Sequence, residues 1–277
     1  MRKINYPLIV SDFDGTLVKK DGTIGEEDKK AILEYIAAGG KFAISTGRMP
    51  AGILVRAKEL GLKGMVCCCQ GSIIMDIESE EVILQGRIPL ETTVAICKKM
   101  EAMGLHIHVY DLWDYYCNMD DDALKFYERA VKSKAKLVLD KKISQFVEET
   151  GLCSYKVLAM VPAEENERVL NILAAENFKD CVLTKSDAYL VEVINKNYSK
   201  GSAVEFLANY HNVSLKKTIA IGDQRNDLPM IEKAGLGIAV QNADDALKSK
   251  ADYICAYTNE EGAVGKIIEK FGFCQEE

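Results

Sequence analysis

Hydrophobic and polar positions follow two different rhythms along the chain. Leu8, Ile9 and Val10 form a short apolar run that ends in Ser11-Asp12-Phe13-Asp14-Gly15, which predicts a buried strand opening into a polar turn. Over 26–38 the apolar residues Ala31, Ile32, Tyr35 and Ile36 recur at helical spacing, and Gly39-Gly40 supplies the stop. A second strand over 42–44 ends at Ser45-Thr46-Gly47-Arg48, a helix follows over 50–60, and a third strand covers 65–69. Strand and helix in alternation predict a parallel sheet.

After Gln70-Gly71 the rhythm changes. Segments 73–75 and 82–84 read as a hairpin joined by the acidic turn 78–81. From there the order is helix (91–103), strands (106–110 and 115–117), helix (121–132), strand (156–161), helix (164–177) and strand (181–185), a mixed α+β sequence. Alternation returns at Lys200 with a helix to about His211, a strand over 218–221, a turn over 222–227, a strand over 237–240, a helix over 244–250, a strand over 253–255 and a last helix. The architecture implied is one α/β domain, residues 1–85 and 190–277, interrupted by an inserted α+β domain over 86–189.

A length of 277 residues suits one large or two modest domains. With 48% hydrophobic and 28% charged residues the composition excludes a disordered or fibrous chain. Lysine and arginine number 35 against 42 acidic residues, a net charge of −7 without any basic block, which argues against nucleic acid as a partner. The nine cysteines include no C-x-x-C pair, and Cys67-Cys68-Cys69 lies in an apolar stretch, so they read as reduced thiols with no metal or redox role. Residues 1–10 fail as a signal peptide and no window approaches 18 apolar residues, so a soluble cytoplasmic protein without membrane contact is expected.

Candidate chemistry sits at the predicted strand ends. Asp12 and Asp14 are one residue apart after the first strand, so an extended chain points both carboxylates to one side. Asp223 and Asp227 form a second acidic pair in Gly222-Asp223-Gln224-Arg225-Asn226-Asp227, again directly after an apolar strand. Ligands of open α/β sheets bind beyond the carboxyl ends of the strands, and a hard cation such as Mg²⁺ suits an oxygen-rich site there. Either acidic pair alone reads as ordinary turn or cap chemistry. Together with Ser45-Thr46-Gly47-Arg48 and Ser199-Lys200-Gly201 they make four ordered signals.

This set resembles the haloacid dehalogenase superfamily of phosphatases, and within it the Cof-type branch (subfamily IIB). There the core is a Rossmann-like α/β domain, and an α+β cap of the C2B type is inserted between the third strand and the lysine motif. The resemblance covers the whole chain, including Gly237-Ile238-Ala239-Val240-Gln241-Asn242-Ala243 and Asn259-Glu260-Glu261-Gly262-Ala263-Val264. It implies a Mg²⁺-dependent phosphatase acting on small phosphorylated metabolites, sugar phosphates first, through an aspartyl-phosphate. It implies Asp12 as nucleophile, Asp14 as general acid and base, and Lys200 as the cation that balances phosphate charge. Phe13, Thr46, Gly47, Lys200 and Asn226 are then the phosphate-binding residues, Asp12, Asp14 and Asp223 the metal ligands, and Asp227 a support for Lys200 or the metal site. One departure is visible: the family's usual Asn-Gly-Ala after strand three is Gln70-Gly71-Ser72 here.

Two other readings of the same residues stand beside this one. One is a phosphomutase or phosphotransferase on the same core; the other is a phospho-acceptor or metabolite-binding module without turnover. Whether the chain works as a monomer or a homodimer is left open. His106 and His108 share a face of a predicted strand and either line a substrate cleft or pack a sheet, packing being preferred. The aromatic group Tyr110, Trp113, Tyr115 and Tyr116 is likewise read as packing.

Overall fold

Strand β1 (Leu8–Asp12) is buried along its whole length, as a central strand covered on both faces requires. The computed structural model describes residues 2–59, 61–131 and 133–274, with backbone alone at 186 and 187. Contacts divide these residues into two units. The first comprises the chain up to Gly47, Leu54–Leu84 and Ser199 onward; the second comprises Arg48–Ile53 and Gln85–Tyr198.

The elements after β1 are α1 (Glu26–Ala37), β2 (Lys41–Ser45), α2 (Pro50–Glu59), β3 (Met65–Cys68), β4 (Ile73–Asp76) and β5 (Val82–Gln85). Then come α3 (Leu90–Ala102), β6 (His106–Tyr110), β7 (Tyr115–Cys117), α4 (Asp122–Val131), β8 (Lys136–Leu137) and α5 (Ile143–Thr150). These lead to β9 (Lys156–Met160), α6 (Asn166–Ala175), β10 (Cys181–Asp187) and β11 (Leu190–Asn195). The chain ends with α7 (Lys200–Tyr210), β12 (Thr218–Gly222), α8 (Leu228–Lys233), β13 (Leu236–Ala239), α9 (Asp245–Lys248), β14 (Tyr253–Ile254) and α10 (Ala263–Ile267).

One sheet has the order β14-β13-β12-β1-β2-β3-β4-β5. Its strands from β14 to β3 are parallel, and β4 joins β3 antiparallel. The α/β class with a parallel sheet expected from the alternation is therefore what the chain adopts.

The second sheet has the order β10-β11-β9-β6-β7-β8, antiparallel except between β7 and β8. Period-two alternation sorts its residues. Ile107, Val109, Val157, Ala159, Val191 and Val193 share an apolar cluster with Met100 of α3, Val147 of α5 and Leu173 of α6. The alternate positions His106, His108, Tyr110, Lys156 and Glu192 face the other way and are still buried. There the Lys156 ammonium donates to Glu192 at 2.6 Å.

Four elements escaped the sequence reading. Helix α5 does carry helical spacing in Ile143, Phe146 and Val147 and a left-handed Gly151 stop. Strand β8 is two residues long, and α8 is a short helix that starts with Pro229 near its N-terminus. Strand β11 pairs with β9 and β10, so the boundary expected near 190 moves to Tyr198; its Leu-Val-Glu-Val-Ile-Asn pattern does not show which sheet it joins. The helices expected over 50–60 and 121–132 are described over Pro50–Glu59 and Asp122–Val131; Leu60 and Lys132 lie outside the described residues. Strand β3 stops at Cys68 because Cys69 turns to φ 49°.

Candidate active site

Register brings the candidate residues to one edge of the first sheet. Asp12 pairs with Ser45 of β2, and Ser11 with Ile221 of β12. Thr46 and Gly47 after β2, and Asp223 after β12, therefore leave the sheet where Asp12 does. The chain passes from β1 to β2 on one side while β12 returns on the other, which is the reversal where open α/β sheets hold ligands.

Lys200 is the first residue of α7, behind a capping box in which Ser199 and Ser202 exchange side-chain to backbone hydrogen bonds. Its buried ammonium donates to Asp12 Oδ1 and, at 2.6 Å, to Asp227 Oδ1. A cation at a helix N-terminus runs against the helix dipole, so these two carboxylates hold it in place. Asp227 also shapes the backbone, because its Oδ2 accepts the amides of Asp223 at 2.9 Å and Gln224 at 3.0 Å and so fixes the turn after β12. Asp223 in turn accepts from Thr16 Oγ1 at 2.9 Å and from Gln224 Nε2 at 3.3 Å. Gly15, at φ 81°, makes room for this carboxylate: a Cβ there would lie 2.5 Å from Asp223 Oδ2.

Carboxylate oxygens of Asp12, Asp223 and Asp227 all lie within 4.8 Å of one another, and all three residues are buried. Burial pushes the Asp12 carboxyl well above its ordinary value against the opposing pull of Lys200. Burial and the neighbouring Asp227 push Asp223 up to about 6. Burial opposes the charge on Lys200, but Asp12 and Asp227 outweigh it and hold the ammonium above its ordinary range.

The remaining expected residues are placed as follows. Strand β1 ends at Asp12, so the extended run that would set Asp12 and Asp14 side by side is not maintained. The Phe13 carbonyl accepts the amides of Leu17 and Val18 and starts a turn, leaving Asp12 buried and Asp14 exposed. The Phe13 side chain is core, so its expected phosphate contact rests on its main chain. Thr46 is buried, its amide donating to Cys67 O at 2.8 Å and its carbonyl accepting Gln70 N at 3.1 Å. Asn226 Nδ2 donates to Gln70 Oε1 at 3.2 Å, while a Cβ on Gly47 would lie 2.7 Å from Gln70 Nε2.

Gln70 thus spans the loops that carry Gly47 and Asn226, a position the sequence reading noted only as a departure from the family pattern. Cys69 and Gln70 both have positive φ, 49° and 60°, a conformation costly for side chains of this kind and often found at functional sites. Gly71 follows at φ 93° and lets this turn approach α7; a Cβ there would lie 2.3 Å from Ser199 O.

Comparison with known proteins adds the family. The sequence profile of the haloacid dehalogenase-like hydrolases matches residues 9–268. The chain belongs to that family. A Haemophilus influenzae relative whose name carries the word phosphatase is 30% identical over 266 residues, covering 96% of this chain and 98% of its own length. A 5-amino-6-(5-phospho-D-ribitylamino)uracil phosphatase of Bacillus subtilis is 28% identical over 268 residues, covering 96% and 95% respectively. The crystal structure of a haloacid dehalogenase-like hydrolase from Bacteroides thetaiotaomicron superposes with a TM-score of 0.84 at 27% identity, covering 96% of this chain and 99% of that one.

The donor chemistry of this hydrolase's acidic cluster fits a hard divalent cation. Every donor is a carboxylate oxygen, and three buried carboxylates face one ammonium. Asp227 already serves Lys200 with one oxygen and two amides with the other, which leaves Asp12 and Asp223 as the side chains suited to the ion. Among the described residues no helix is long and apolar enough to cross a membrane.

Proposed function

We propose that this hydrolase is a phosphatase that releases inorganic phosphate from monoesters of small metabolites, with Mg²⁺ as cofactor. The observation that carries the reading is the buried Asp12–Lys200–Asp227 chain beside Asp223 at the sheet edge where the strand order reverses. A carboxylate held next to a fixed cation is a nucleophile positioned against an anionic substrate.

In this reading an oxygen of Asp12 attacks phosphorus and the ester oxygen departs, giving an aspartyl-phosphate. Asp14, exposed two residues on, gives its proton to the leaving alkoxide and then takes one from the water that releases phosphate. The Thr46 hydroxyl, the Gly47 amide and Asn226 bind the transferring oxygens, with the Phe13 main chain beside them. Lys200 balances their charge, and Asp227 positions Lys200. The Asp12 and Asp223 carboxylates and the Asp14 carbonyl would hold Mg²⁺, which would supply charge that offsets the repulsion between nucleophile and phosphate.

Phosphorylated sugars and polyols are the preferred substrate class. The Bacillus subtilis relative at 28% identity is named for an ester of this kind, a phosphate on a ribityl chain.

Phosphate release from a panel of sugar, polyol, nucleotide and aryl phosphates, with Mg²⁺ or EDTA, tests the reading in wild type and Asp12→Asn. Asparagine keeps the shape of the side chain and removes the anionic nucleophile. Release that requires Mg²⁺ and falls by roughly a thousandfold or more in the variant is expected. Release that persists in Asp12→Asn, or a folded wild type that turns over no ester, would overturn it.

A further inference from the structure

The second unit contains a cluster that the phosphatase reading does not use. His106 and His108 alternate on β6 and so project from the same face, and Cys117 of β7 stands directly opposite His108 in the antiparallel register. His106 Nε2 lies 3.0 Å from His108 Nε2 and 2.9 Å from Cys117 Sγ. All three residues are buried, His108 and Cys117 completely. Two imidazole nitrogens and one sulfur therefore converge on a single point.

The far side of each ring is also held. His106 Nδ1 meets Asp121 Oδ2 at 3.0 Å, and His108 Nδ1 meets the Tyr110 hydroxyl at 3.3 Å, which continues to the Tyr127 hydroxyl at 2.8 Å. Metal-bound histidines characteristically donate their second nitrogen to an oxygen, which fixes the tautomer and aims the other nitrogen at the ion.

We propose that His106, His108 and Cys117 bind a divalent d¹⁰ cation, with Zn²⁺ the natural occupant, supported by Asp121 and Tyr110. Imidazole and thiolate are the donors that zinc prefers, and Mg²⁺ disfavours them. Zinc bond lengths of about 2.05 Å to nitrogen and 2.3 Å to sulfur place tetrahedral ligand atoms about 3.3–3.6 Å apart, so His106 Nε2 draws away from His108 Nε2 and Cys117 Sγ by roughly 0.3–0.7 Å on binding. On binding, Cys117 releases to solvent the proton that its thiol donates to Met119 O at 3.1 Å, and the resulting thiolate, with the Asp121 carboxylate, offsets the charge of the ion. Three protein donors leave a fourth position. His106 and Asp121 also line a cavity of about 710 Å³ bordered by Met119, Phe126, Met160 and Arg168, which offers an entry route. The proposal departs from the sequence expectation of no metal role for the cysteines, because the partners of Cys117 are histidines on a neighbouring strand.

Co²⁺ titration of the metal-stripped full chain, with excess Mg²⁺ present, tests this independently of phosphatase activity. A thiolate-to-cobalt charge-transfer band saturating at one equivalent is expected in wild type, displaced by Zn²⁺ and absent from a folded Cys117→Ser variant. If that variant does not fold, Asp121→Asn decides: asparagine keeps the bond from the Leu124 amide that caps α4, and cobalt affinity is expected to fall roughly 10- to 100-fold. No charge-transfer band in wild type, a band surviving Cys117→Ser, or unchanged affinity in Asp121→Asn would show a hydrogen-bonded cluster and overturn the proposal.

Discussion

The ammonium of Lys200 donates to Asp227 at 2.6 Å with both side chains sealed from solvent. The same ammonium also holds Asp12. Removing one partner of a buried ion pair leaves uncompensated charge and costs about 3–5 kcal/mol, more than the pair itself contributes. Lys200→Met is therefore expected to destabilise the protein by about that amount in urea unfolding, and to lower phosphate release by roughly a hundredfold or more. The double variant Lys200→Met with Asp227→Asn should regain part of the stability and none of the activity. A stable, active Lys200→Met protein would contradict the role given to this pair.

Asp223 is one of three buried carboxylates within 4.8 Å of one another, and the other two are those the ammonium holds. Asp223→Asn removes a repelling charge while keeping an oxygen for the Thr16 hydroxyl, so its melting temperature in EDTA should rise. The Mg²⁺ concentration needed for half-maximal phosphate release should rise by roughly tenfold or more. An unchanged Mg²⁺ requirement would remove Asp223 from the metal site.

Asp28 is a buried carboxyl away from the candidate site, on the first turn of α1, where its Oδ1 accepts the Gly265 amide of α10 at 2.6 Å. Burial pushes it up to about 6. Because the folded value lies above the unfolded one, folding takes up a proton between about pH 4 and pH 6. Stability is lost as pH rises through that window, reaching a cost on the order of 3 kcal/mol above it. Asp28→Asn keeps the acceptor and avoids the charge, so the variant should gain stability over wild type at pH 7.5 and little at pH 4. Urea midpoints at the two pH values measure this, and an equal difference at both would refute it.

How much the amino-acid order settles differs between neighbouring residues. Alternating apolar runs and helical spacings marked β1, β2 and β12 and the turns that follow them, because a strand buried on both faces must be a continuous apolar run. Three of the four polar motifs stand out for the same reason, each interrupting an apolar stretch where a strand ends, while Ser199-Lys200-Gly201 opens a helix. The pattern could not show that β11 joins the second sheet, since Leu-Val-Glu-Val-Ile-Asn fits either, and its buried Glu192 accepts from Lys156 of the neighbouring β9.

Tertiary structure alone decided which carboxylates meet. Asp12 and Asp14 are near neighbours in the sequence, but the turn begun at Phe13 leaves one buried and the other exposed, and only the fold brings Asp223 and Asp227 beside Asp12. Lys200 reaches Asp12 across 188 positions because parallel pairing of β1 with β12 and the packing of α7 against α8 carry them to one edge. Gln70 and the His106, His108 and Cys117 cluster were hidden for the same physical reason. Period and composition report which way a side chain faces, whereas strand register and loop conformation determine what stands opposite it.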